Sequence, residues 1–186
     1  MMRALFLPLA ALSAAAFVAL GGACGSFDQN AITEVTAPNF SEFSANGVAA
    51  DGAATVGVDA VLEKRCGTLD CHGQMGRPLR IFGQYGLRLI SQDAANLPGV
   101  QPTTSTELVA NYQSVIGLQP ELMTEVVQGN APPTVLLLLR KPLQLERHKG
   151  GQVFHAAGDP AYDCIVSWLS GQGTRYSECA LALTQP

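Results

Sequence analysis

The chain carries 186 residues, 47% of them hydrophobic and 14% charged, with eleven lysines and arginines against fifteen aspartates and glutamates. A formal charge of −4 argues against a nucleic-acid-binding protein. The length beyond a short leader suits one domain with a core of its own.

Met1-Met2-Arg3 is followed by an apolar stretch from Ala4 to Leu20 and then by Gly21-Gly22-Ala23-Cys24. A cationic end, a short apolar core and small residues at the break predict a secretory signal over 1–23, not a span retained in the mature protein. The break resembles the lipobox of bacterial lipoproteins, with its leucine one place early at Leu20. This resemblance implies that Cys24 carries the lipid. The protein is then tethered to a membrane of the bacterial cell envelope, on a periplasmic or outer-surface face. Ordinary secretion, with Cys24 free or paired, is the other reading of the same residues. Loss of Arg3 from the eleven cations leaves ten against fifteen carboxylates, so the whole-chain charge predicts a basic or neutral face on any electron-exchange partner.

Residues 24–55 are mostly small and polar and predict a flexible tether, on which Phe27, Phe40 and Phe43 are the residues able to dock. The folded domain is expected over 56–186. Val58, Val61 and Leu62 recur at helical spacing between Val56 and Arg65, with Glu63, Lys64 and Arg65 assigned to the solvent side.

That helix delivers the chain into Cys66-Gly67-Thr68-Leu69-Asp70-Cys71-His72-Gly73. Two thiols followed directly by an imidazole form the attachment signature of c-type haem, in which the thiols make thioethers and the histidine ligates iron. The usual gap between the thiols is two residues, and here it is four. The same residues also permit a Cys66–Cys71 disulfide with His72 a bystander, or a zinc site that lacks an evident fourth ligand.

Beyond the motif, Leu79/Ile81 and Leu87/Leu89 alternate between glycines and predict two short strands or extended segments wrapping a core. Lys64, Arg65, Arg77, Arg80 and Arg88 gather around the motif, and Arg77 and Arg80 are candidates to pair with haem propionates. Gln92–Thr103 reads as a loop. A helix follows from Thr104 or Ser105 to Gly117, and another from Pro120 to Gly129-Asn130. Pro132-Pro133 precedes an apolar run, Thr134–Arg140, too short to cross a bilayer and expected as a buried helical turn or two. A last helix is signalled by Asp159 as N-cap, Pro160 at the first position and Gly171 as the stop, with Ile165, Val166, Trp168 and Leu169 on its apolar face. Cys164 and Cys179 can pair and hold a short apolar tail, Ala180–Leu183, against the domain.

The Cys71-His72-Gly73 start, the leucine-rich segment with Lys141-Pro142, and His148 followed by Gly150-Gly151 belong together with Asp159-Pro160 and the Trp168-Leu169 helix end. Over about 56–171 this set resembles the planctomycete-type cytochrome c domain. The resemblance implies a mainly α, small cytochrome c-like domain binding haem c as an electron carrier; a haem enzyme is the reading that an open sixth site would favour. His72 is then the proximal ligand and His148 the distal candidate, with Gly150 and Gly151 leaving room for a flat macrocycle. Met123 is the runner-up, a thioether that most often fills core at such a position. His155 reads as a surface residue. Trp168 and Ile165 would pack the haem edge if the last helix crosses the first.

Overall fold

A computed structural model describes residues 35–48, 52, 54–89, 99, 101–155 and 158–185. The expected signal peptide and Cys24 lie outside the described residues. Among those described, the fold is mostly helical. It runs α1 (Phe40–Phe43), β1 (Asn46–Val48), β2 (Ala54–Val56), α2 (Val58–Arg65), α3 (Ser105–Ile116), α4 (Pro120–Val127), a 3-10 turn (Pro133–Val135), α5 (Leu137–Arg140), α6 (Pro160–Leu169) and α7 (Tyr176–Thr184). β1 and β2 pair antiparallel, with Gly47 opposite Thr55. No helix among the described residues is long and apolar enough to cross a membrane.

The cap signals decide where the helices begin. Thr104 and Glu107 form a complete capping box at the start of α3, and the Asp159 side chain accepts the N–H groups of Ala161 and Tyr162 ahead of Pro160 at the start of α6. Each satisfies backbone donors that a helix start leaves without partners. α7 has no side-chain cap at its N-terminal residue Arg175 and extends the short apolar tail expected at 180–183 into a full helix. A disulfide joins Cys164 in α6 to Cys179 in α7, as the cysteine spacing allowed, and Arg175 N–H donates to Ser167 Oγ.

One expectation is refined and one corrected. Within the tether expected over 24–55, Val35–Val48 is ordered as α1 and β1, with Phe43 docked as its apolar character allowed. Phe43 is fully buried, Tyr112 Oη–H donates to Pro38 O (2.7 Å), and Trp168 Nε1–H donates to Asn39 O (2.9 Å). A few anchors fix a stretch whose composition reads as a linker. The extended segments at 79–81 and 87–89 are not strands; they belong to a run of turns pinned by side chains of α3. The core is built by α2, α6, α7 and the 136–139 segment, with Trp168 and Ile165 fully buried. Trp168 lies 5.2 Å from Phe43, centroid to centroid, so both residues serve as core.

Candidate functional site

α2 ends at Arg65, and its last turn is closed by Cys66 N–H on Leu62 O and Gly67 N–H on Leu62 O and Glu63 O. The motif then folds back on itself. Cys71 and Gly73 both donate to Thr68 O, and His72 N–H donates to Cys66 O at 2.8 Å. These bonds close the Cys66–Gly73 stretch into consecutive turns. Ile81 N–H donates to His72 O and Leu87 N–H to Gly73 O, so the following segment lies across the motif backbone. That approach depends on two glycines: a Cβ at Gly73 would collide with Gly67 O, and one at Gly86 with Gly67 O and the Gly73 Cα.

Cys66 and Cys71 are free thiols, both partly buried. Burial, with the neighbouring Cys71, pushes the Cys66 thiol up to about 12. It is therefore held protonated at neutral pH.

His72 and His148 come together from distant parts of the chain. Their ring centroids are 6.2 Å apart and their planes differ by 12°. Each ring is oriented the same way: His72 Nδ1 lies 2.9 Å from Leu79 O, and His148 Nδ1 lies 2.8 Å from Gly151 O. A carbonyl oxygen only accepts, so each Nδ1 is the donor, and in the neutral form of either ring the lone pair is left on Nε2. This orienting bond from one ring nitrogen to a backbone carbonyl is what fixes a histidine as a metal ligand through the other. Burial lowers the His72 pKa, the Leu79 bond opposes this, and the neighbouring His148 and Arg77 add to the lowering.

Gly150 lies beside His148. A Cβ there would sit 3.2 Å from Cε1 and 3.5 Å from Nε2 of that ring, so the missing side chain leaves the free nitrogen open. Phe154, fully buried, anchors the segment, and Arg65 ties it to α2 through Nη2–H donating to Val153 O at 2.9 Å.

The basic residues divide. Arg77 Nε–H donates to Cys71 O (3.1 Å), which commits it to the motif. Arg80 lies 4.3 Å over the Phe82 ring, and burial lowers its pKa. Arg65 Nη1 and Arg80 Nε are buried with no hydrogen-bond partner among the described residues. Arg88 is spent elsewhere, in a buried ion pair with Glu107 at 2.6 Å.

Met123 is buried in the core on α4, and the imidazole facing His72 is that of His148. His155 is exposed.

Sequence reasoning missed the residues that hold the 79–89 segment. Asn111, fully buried, accepts from Phe82 N–H (2.7 Å) and donates to Phe82 O (2.8 Å) and Asp59 Oδ1 (2.9 Å). Ser114 Oγ accepts from Arg80 N–H, and Glu107 accepts from Leu89 N–H. These three occupy one stripe of α3, at spacings of four and three, and hold the segment whose Leu79 carbonyl orients His72. Asp59 and Glu63, expected to be solvated or unremarked, are buried on α2. Burial, then the hydrogen bond and charge of Glu63, raises Asp59 well above the usual carboxylate range. The available signal was the unusual density of polar residues on the inward helical positions of α3.

No family model, no curated protein and no solved structure matches the chain.

Proposed function

We propose that the protein is a monohaem c-type cytochrome working in electron transfer, anchored by Cys24 in the bacterial cell envelope. Cys66 and Cys71 would hold the macrocycle through thioethers, and His72 and His148 would ligate it from its two faces. One observation carries this reading: the two oriented imidazoles at 6.2 Å. A metal–imidazole nitrogen bond is about 2.0 Å, so the two nearly parallel rings would turn their Nε2 atoms toward one iron to come within that distance.

The donor set also suits the group. A macrocycle supplies four nitrogens of its own and asks the protein for two, which His72 and His148 would provide. Gly150 leaves open the Nε2 of His148. The buried N–H groups of Arg65 and Arg80 that lack partners suit propionate oxygens, with Arg65 joining Arg80 as a candidate that the motif alone did not single out. When bound, the haem supplies an iron that takes up and releases one electron. The protein would orient the two imidazoles, His72 through the Leu79 carbonyl and His148 through the Gly151 carbonyl, and its ligation would tune the iron.

The test is maturation in an exporting host with haem-attachment machinery. The expected product is red, shows a Soret band and keeps its haem through denaturing electrophoresis. A colourless product with Cys66 and Cys71 joined to each other overturns the proposal, and leaves a disulfide-stapled envelope lipoprotein in its place.

A further inference from the structure

The charge of this chain is segregated. Of the ten cations after Arg3, nine fall in two segments, residues 64–88 and 140–149, and only Arg175 lies elsewhere. The same two segments hold just two carboxylates, Asp70 and Glu146. They are also the segments that carry His72 and His148, and the fold brings those histidines together. Nine cations against two carboxylates leave seven positive charges, six once Arg88 is matched to Glu107 from α3, and four within the haem reading, where two propionates are matched to Arg65 and Arg80.

Several of these charges face outward. Arg147 and Lys149, on either side of His148, are exposed, and Lys64 and Arg77 are partly exposed. Of the cations in the two segments, only Arg88, Arg140 and Lys141 form ion pairs among the described residues, the last two sharing Glu146 at 3.4 and 3.3 Å. Leu69, Met75 and Tyr85 are exposed on the loops between these charges. Exposed apolar side chains beside an excess of one charge are a form that a recognition surface takes.

Within the haem reading, we propose that the surface around His72 and His148 is a docking face for an acidic redox protein. Whole-chain charge points the other way, toward a basic partner, but it is not what an approaching molecule meets. At physiological ionic strength the Debye length is about 8 Å, so charges within that reach of the contact set the attraction and the remote carboxylates are screened. Electrostatic complementarity of this kind acts chiefly on the association rate.

The experiment has two arms on the full chain. In the first, poly-L-glutamate is titrated into labelled protein at low salt and amide shifts are mapped. Perturbations are expected in 64–77 and 140–151, to fade as salt is raised, and to be small around Arg175. Perturbations spread over the whole surface, or absent at both segments, overturn the proposal. In the second, the reduced haem protein passes one electron to hexacyanoferrate(III), giving hexacyanoferrate(II), with no bond made or broken. The second-order rate should fall several-fold as ionic strength rises from about 0.1 M to about 1 M, over which the Debye length shrinks from about 10 Å to about 3 Å and remote carboxylates stay screened throughout. The Arg147→Glu/Lys149→Glu variant, altered at exposed sites, should flatten or reverse that dependence, whereas Arg175→Glu should keep it. A rate that rises with salt in the unaltered protein means that net charge governs, and sinks the inference. If the first arm succeeds and the product is colourless, the basic face stands as a binding surface but the redox partner falls with the haem.

Discussion

Replacing Glu107 by glutamine should expose how far the site depends on a single buried carboxylate. Glu107 accepts from Arg88 Nε–H (2.7 Å) and Nη2–H (2.6 Å), from the N–H groups of Leu89 (3.0 Å) and Thr104 (2.9 Å), and from the Thr104 hydroxyl (3.1 Å). Burial by itself would raise its pKa, but the Arg88 bonds and the backbone donors together draw it from 4.5 down to about 2. At about 1.4 kcal/mol per pKa unit, a depression of about 2.5 units corresponds to about 3 kcal/mol. An independent route gives a similar size, since removing one partner of a buried ion pair costs about 3–5 kcal/mol. The folded-state pKa is the lower one, so the stabilisation is complete above the unfolded-state value near 4.5 and is lost as pH falls through about 2. Urea unfolding followed by circular dichroism should therefore separate wild type and Glu107→Gln by about 3 kcal/mol at pH 7, and the two should converge toward pH 2. A gap that stays constant across that range, or one below about 1 kcal/mol at pH 7, refutes the reasoning.

Three further outcomes are expected. In the haem-loaded protein His148→Ala should alter the reduced spectrum and the midpoint potential, whereas Met123→Leu should leave both nearly unchanged; the opposite result reverses the choice of distal ligand. Replacing Cys164 and Cys179 by serine, across a sequence separation of 15, should lower unfolding free energy by about 3 kcal/mol and raise hydrogen exchange first in α7. A change below about 1 kcal/mol would mean that α7 is held by packing alone. Gly86→Ala should cost about 1–3 kcal/mol in urea unfolding and reduce haem attachment, because its Cβ meets Gly67 O and the Gly73 Cα; a stability equal to wild type would show that the segment can move off the motif.

Much of the helical frame is legible in the chain, because local backbone needs dictate it. Thr104 with Glu107, Pro120, and Asp159 with Pro160 mark helix starts, since each answers a requirement of the first turn that no distant residue has to supply. The motif Cys66–Gly73 is legible for a similar reason: the chemistry of thiols beside an imidazole is written in consecutive residues.

What tertiary structure alone decides is which groups meet. Glu63, assigned to solvent by helical spacing, is buried because Gly83 and Gln84 fold over it, with Gln84 N–H donating to Glu63 Oε2 at 3.3 Å. A periodicity argument sees one helix and not the loop that covers it. Residues 35–48 read as a linker because their apolar content is low, yet Phe43 finds a site between Tyr112 and Trp168, which lie far along the chain. The pairing of His72 with His148 spans 76 positions and is set by Arg65 reaching Val153 and by α3 gripping the 79–89 segment. Local sequence fixes covalent and short-range preferences; the spacing between two distant imidazoles comes from packing that many separated side chains supply together.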